Sequence, residues 1–144
     1  MWADQVLAFE RAHLTRLLLW GAASLAAGLG CWAFVHKRRQ ELPLLWHFGI
    51  QTAAWGAIDA LLALASQPQL ALRDYDGVTR LDRFVWLNCG LDLGYIAVGV
   101  ALAVCGWRLT QSRGLLGAGL GVVIQGAALL LLDARFAALL SLAR

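Results

Sequence analysis

Four long apolar runs, separated by short polar stretches, constrain this chain more than any other feature. Leu17 to Val35 holds no charged residue and lies between Arg16 and the group His36-Lys37-Arg38-Arg39. Leu44 to Ser66 carries one acid, Asp59, with Pro43 before it and Pro68 after it. Phe84 to Trp107 carries Asn88 and Asp92, and Gly114 to Leu132 carries Gln125, with Asp133 following. A helix needs about 20 such residues to cross about 30 Å of hydrocarbon. None of the runs alternates with the period of two that a spanning strand requires. Composition agrees: 60% of residues are apolar and 15% charged, against about 45–50% and about 25% in a soluble domain. An ordinary soluble domain and a disordered chain are both excluded. The expected fold is all-α: a polytopic membrane protein, one antiparallel bundle of four transmembrane helices spanning about 17–35, 44–66, 84–107 and 114–132.

Trp2, Val6 and Phe9 share one helical face within Met1 to His13, which makes this segment either a short interfacial helix or an extension of the first span. Its acids, Asp4 and Glu10, and a basic cluster that follows the apolar core instead of preceding it, argue against a cleaved signal peptide. The one real loop is Gln67 to Arg83. Its run Arg73-Asp74-Tyr75-Asp76-Gly77 reads as a solvated turn, and Asp74-x-Asp76-Gly77 is too little for a calcium loop.

Four crossings put both termini on one side, here side A, together with the loop; the two short connections lie on side B. Side A carries Arg11, Arg16, Arg73, Arg80, Arg83, Arg135 and Arg144, and side B carries Lys37, Arg38, Arg39, Arg108 and Arg113. The bare count slightly favours side A as cytoplasmic, but the density of basic residues directly after the first span favours side B, which is the expected orientation, in a bacterial cytoplasmic membrane. The net charge of +3 is read as headgroup contact, not nucleic-acid binding. Cys31, Cys89 and Cys105 form no C-x-x-C, so neither a disulfide framework nor a thiol oxidoreductase is expected.

Aromatic and small residues refine the picture. Trp32, Trp46 and Trp107 fall near side B, Trp2 and Trp86 near side A, and Trp20 slightly deeper, as an interfacial belt. Trp55 lies at mid-span, either as a packing residue or as the wall of an internal pocket. Small-residue stripes, Ala22-x3-Ala26-x3-Gly30, Gly49-x3-Ala53-x3-Ala57, Gly90-x3-Gly94 and Gly117-x3-Gly121, are expected to hold the bundle together.

The candidate site is a polar layer. At 1.5 Å rise per residue, Asp59, Asp92, Gln125 and Ser24 each fall about 10–12 Å in from side A, one per helix. Asn88, Asp92 and Tyr95 follow i, i+4, i+7; Gln51, Trp55 and Asp59 follow i, i+4, i+8. Each set therefore lies along one ridge of its helix. An acid near the bilayer centre costs about 2.5–3.5 kcal/mol on insertion scales, so it faces the interior and has a partner. Two carboxylates together in low dielectric either share a proton or take up a positive group. Asp59 and Asp92 are thus read as proton-, cation- or small-ligand-binding residues, with Gln125, Asn88, Tyr95, Gln51 and Trp55 around them, in a transport or sensing module. The alternative is a structural subunit of a larger membrane complex, the acids tying helices together. His36 and His47 flank the side-B connection and are read as headgroup contacts, and His13 lies on the wrong side to pair with either. No metal and no cofactor are expected; the partners are the bilayer and either further copies of the chain or a larger complex.

The segments Gln51-Thr52-Ala53-Ala54-Trp55-Gly56-Ala57-Ile58-Asp59, Asn88-Cys89-Gly90-Leu91-Asp92-Leu93-Gly94-Tyr95 and Gln125-Gly126 with Asp133 resemble an uncharacterised group of small bacterial four-helix membrane proteins of unknown function. The resemblance covers the second to fourth spans; it implies the fold and no activity. Lipoprotein signal peptidases also pair two intramembrane aspartates in four helices, but their G-N-x-x-D-R and F-N-x-A-D patterns are absent, so an aspartyl protease is not expected. Small multidrug exporters place a Glu in the first span, and Leu17 to Val35 holds no acid.

Overall fold

A computed structural model describes residues 2–143; Met1 and Arg144, the latter counted above among the side-A charges, lie outside the described residues. The chain forms four helices: α1 (Trp2–Val35), α2 (Pro43–Ser66), α3 (Tyr75–Val104) and α4 (Arg113–Leu142). Each is long and apolar enough to cross a membrane. The described residues contain no strand.

The helices outrun the apolar segments. α1 is one continuous helix from Trp2, with no separate interfacial piece, and its 34 residues reach about 51 Å. Most of the expected Gln67–Arg83 loop is also helix. Asp74 is exposed, as expected, and is also the N-cap of α3, its side chain accepting from the Gly77 nitrogen at 2.7 Å, which satisfies one of the helix's orphan donors. Ser112 caps α4 in the same way, and Pro43 sits in the first turn of α2, where its missing N–H costs nothing. α3 ends in a wider π turn, Cys105–Leu109. The chain then reverses through Gln111 at φ 51°, the one described non-glycine residue with positive φ, whose side chain donates to the Trp107 carbonyl.

Glycines decide which helices touch. A Cβ on Gly21 would stand 2.6 Å from the Ala60 nitrogen; Gly28 faces the Ala53 backbone and Gly56 faces Leu25. These contacts climb α1 as they descend α2, so the two helices are antiparallel and meet backbone on backbone. α3 and α4 form a second antiparallel seam, Gly99 against Val123 and Gly126 against Ile96 and the Asp92 carbonyl. Gly117 and Gly121 of α4 lie against Leu44, Phe48 and Gln51, so α4 runs parallel to α2.

The contact stripes differ from the expected ones. On α1 the seam runs Gly21, Ser24, Gly28, while Ala22, Ala26 and Gly30 are exposed. On α3, Gly90 and Gly94 have nothing within 4 Å, and Gly99 and Gly106 make the close approach instead. Only the Gly49 and Gly117/Gly121 expectations fall on seams.

α4 touches all three other helices, whereas α2 and α3 form no seam at all. At the side-A end, Val6, Val78, Val85, Phe136, Ala137 and Leu140 form an apolar cluster that ties α1, α3 and α4 together below the gap. Toward side B, Trp32, His36 and Trp46 form a ring cluster with centroids 4.9–5.7 Å apart. Trp20 is no belt residue: its indole donates inward to Gln125 Oε1 at 2.7 Å.

Candidate functional site

The gap between α2 and α3 is a cleft of about 560 Å³. α2 contributes Trp55, Ile58, Asp59 and Leu62, and α3 contributes Asn88, Leu91, Asp92 and Tyr95. α1 supplies His13 and Glu10, and α4 supplies Asp133.

The level of the acids follows from contacts across the helices. Gly21 touches Ala60, beside Asp59; its neighbour Trp20 bonds Gln125; and a Cβ on Gly126 would stand 3.1 Å from the Asp92 carbonyl. Asp59, Asp92 and Gln125 therefore occupy one layer, and all point away from the surface, with 2%, 4% and 1% of their area exposed. Asp59 and Asp92 line the cleft; Gln125 does not, being held in the α1–α4 contact by Trp20. Gln51 does not reach the cleft either: it packs on Gly121 of α4, because the ridge from Asp59 through Trp55 turns away over two helical turns. Ser24 lies in the α1–α2 seam.

One oxygen of each acid, Asp59 Oδ2 and Asp92 Oδ2, is buried with no hydrogen-bond partner. Thr52 Oγ1 and Gln125 Nε2 are also unpartnered. An unsatisfied buried polar atom costs about 1–3 kcal/mol, more when charged, so helix tying alone is a poor account of these aspartates. Toward side B the cleft is closed by an aromatic ceiling: the Trp55 and Tyr95 rings meet across the gap with centroids 5.0 Å apart at 57°. Both residues stand about one turn beyond the acids, as their spacing on each ridge expects.

Two groups were not legible as part of the site. Asp133, read as the boundary after the last span, is buried and faces the cleft, with its Oδ1 3.3 Å from His13 Nε2. It lies within electrostatic reach of Asp59 and Asp92, so three carboxylates share the space. His13 stacks on Phe136 at 4.5 Å. The available signal was periodicity: Asp133, Phe136, Ala137 and Leu140 continue one helical face past the end of the apolar run. Nearer side A, Arg73 clamps Glu10 through two hydrogen bonds of 3.0 and 2.6 Å. These bonds hold the guanidinium pKa above its ordinary value. Arg80 lines the cleft as well.

Among the described residues no three His, Cys, Asp or Glu side chains converge closely enough to hold a metal ion. His36 stacks with tryptophans and His47 lies against Gly114. The three cysteines are free thiols.

Residues 16–134 match the family model described as a family of unknown function (DUF6992). The chain belongs to that family. The match begins at Arg16 and so takes in the first span as well as the second to fourth, and it covers Asp59, Asp92, Gln125 and Asp133. No curated protein and no solved structure matches the chain.

Proposed function

We propose that this protein spans a membrane four times, in the bacterial cytoplasmic membrane, and that its acidic cleft binds a proton or a cationic group as a transport or sensing module. Both termini lie on one side, and the basic cluster at Lys37, Arg38 and Arg39 puts the opposite side in the cytoplasm. The observation that supports the binding reading is that two buried aspartates, Asp59 and Asp92, line one cleft, each with a carboxylate oxygen left without a hydrogen-bond partner. Negative charge without a counter-charge in a poorly solvated site is neutralised by a proton or by a bound cation. The charged and titratable groups around the pair are His13 and Glu10 on α1, Asp133 on α4, Arg80 on α3 and Arg73 before it. Arg73 is engaged by Glu10, and His13 faces Asp133.

Proton uptake by purified protein, followed with an indicator dye between about pH 5 and about pH 8, tests the reading. Wild type takes up protons that Asp59→Asn and Asp92→Asn do not, and all three unfold at similar temperatures, because an amide still donates and accepts hydrogen bonds. Identical uptake by all three, with no cation bound by any, overturns it.

A second reading is supported by Gly90 and Gly94, which present an outward, unoccupied small-residue stripe on α3. Such a stripe suits another helix, either of a second copy or of a larger complex, and it is compatible with the binding function.

A further inference from the structure

The occupant of the cleft can be narrowed by three features of its walls. The first is size. A volume of about 560 Å³ falls within the range of about 300–1,000 Å³ typical of small-molecule sites. It far exceeds what a proton or a dehydrated metal ion fills. A magnesium or calcium ion would also need a close shell of about six or more oxygens, and among the described residues no three His, Cys, Asp or Glu side chains stand close enough to hold a metal ion.

The second feature is the combination of charge and aromatic surface. Asp59 and Asp92 line the cleft about one helical turn from Trp55 and Tyr95, whose rings meet across it. Carboxylates set beside tryptophan and tyrosine faces match an organic cation, whose diffuse charge is attracted by ring quadrupoles and whose carbon surface they cover. A strongly hydrated inorganic ion gains nothing from the rings.

The third feature is the way in. α2 and α3 have no packed seam, and the cleft edge between them carries Ile58, Leu62, Phe84 and Leu91, all exposed and all apolar. At the level of the acids this edge would face hydrocarbon. Toward side A, a cation from water would pass Arg80 and the Arg73–Glu10 clamp.

We infer that the cleft binds a hydrophobic organic ammonium ion that enters sideways from the bilayer between α2 and α3, its charge held by Asp59 and Asp92 beneath Trp55 and Tyr95. This rests on the reading that the chain spans a membrane and that its acids take up positive charge.

The test is equilibrium binding of radiolabelled dodecyltrimethylammonium to the protein in lipid nanodiscs, each value corrected by nanodiscs without protein. Wild type shows saturable binding that sodium and magnesium do not displace. Asp59→Asn and Asp92→Asn weaken it by about tenfold or more, one full charge contact. Trp55→Leu keeps the apolar volume and loses the ring, weakening binding about 3- to 30-fold. Ile58→Trp, at an exposed position on the apolar edge, obstructs entry and lowers the association rate. Proton uptake by wild type, Asp59→Asn and Asp92→Asn is measured beside the ammonium binding, which separates this proposal from the one it rests on. If the ammonium probe binds no better to wild type than to the Asn variants while proton uptake or inorganic cation binding remains, the organic occupant is overturned and the acidic site stands. If no proton, inorganic cation or ammonium binding depends on Asp59 or Asp92, both fall.

Discussion

The two neighbours of α2 in the chain meet it in opposite ways. Toward α1 the contact is backbone on backbone: Gly21, Gly28 and Gly56 admit no side chain, and Ser24 and Thr52 are buried beside them. Toward α3 the backbones stand apart, Trp55 touches Tyr95, and a cleft opens below the rings. The first interface is closed by backbone contact and the second is left open as a cleft. They are coupled, because Asp59 lies one turn from Gly56. The close seam therefore fixes where that carboxylate stands, as a preorganised site on a rigid element requires.

The largest effect expected from this contrast is at the seam. Gly56→Leu drives a side chain into the Leu25 and Ser24 backbone, where no rotamer gives relief. A loss above about 3 kcal/mol is expected, at or beyond the upper end of overpacking costs. Thermal unfolding followed by circular dichroism reads it; wild-type stability in this variant would mean that the seam is not closed.

On the cleft side the sign reverses. Asp92→Leu removes a buried, unpartnered oxygen, and the helix should gain about 1–3 kcal/mol in the same measurement while ligand and proton binding are lost. A destabilised Asp92→Leu would mark the acid as a structural tie. At the side-A end, Arg73→Ala leaves Glu10 without its clamp. The Arg73 side chain is 29% exposed, so solvent screens the pair and about 1–2 kcal/mol is expected to be lost; Glu10→Gln together with Arg73→Ala should cost less than Arg73→Ala alone. The smallest effect belongs to Gly94→Leu, with nothing within 4 Å of its Cβ position. Stability of the single chain should stay within about 0.5 kcal/mol, whereas cross-linking in membranes would fall if α3 pairs with another helix there.

The four long helices and the burial of Asp59, Asp92 and Gln125 could be read directly from the chain. Apolar length sets the number of helices, and an acid within such a run has to be turned inward. The ridges also put Trp55 and Tyr95 each about one turn from its acid, because helical periodicity is a local property. What the sequence did not decide was which faces meet. Small residues occur on more than one face of each helix. The Ala22/Ala26/Gly30 and Gly90/Gly94 stripes look as competent as the Gly21/Gly28 and Gly99/Gly106 ones that form the seams. Choosing among them depends on how all four helices fit at once. Asp133 and His13 entered the site for the same reason. Each sits beyond its apolar run, and burial there comes from α1 and α4 continuing past those runs to pack on each other, with His13 stacked on Phe136. The cleft itself is the clearest case of a tertiary decision. α2 and α3 are joined by a short connection, yet each closes its glycine seam with a different neighbour, α1 and α4. The space between them stays open because the backbones that could fill it are already engaged elsewhere.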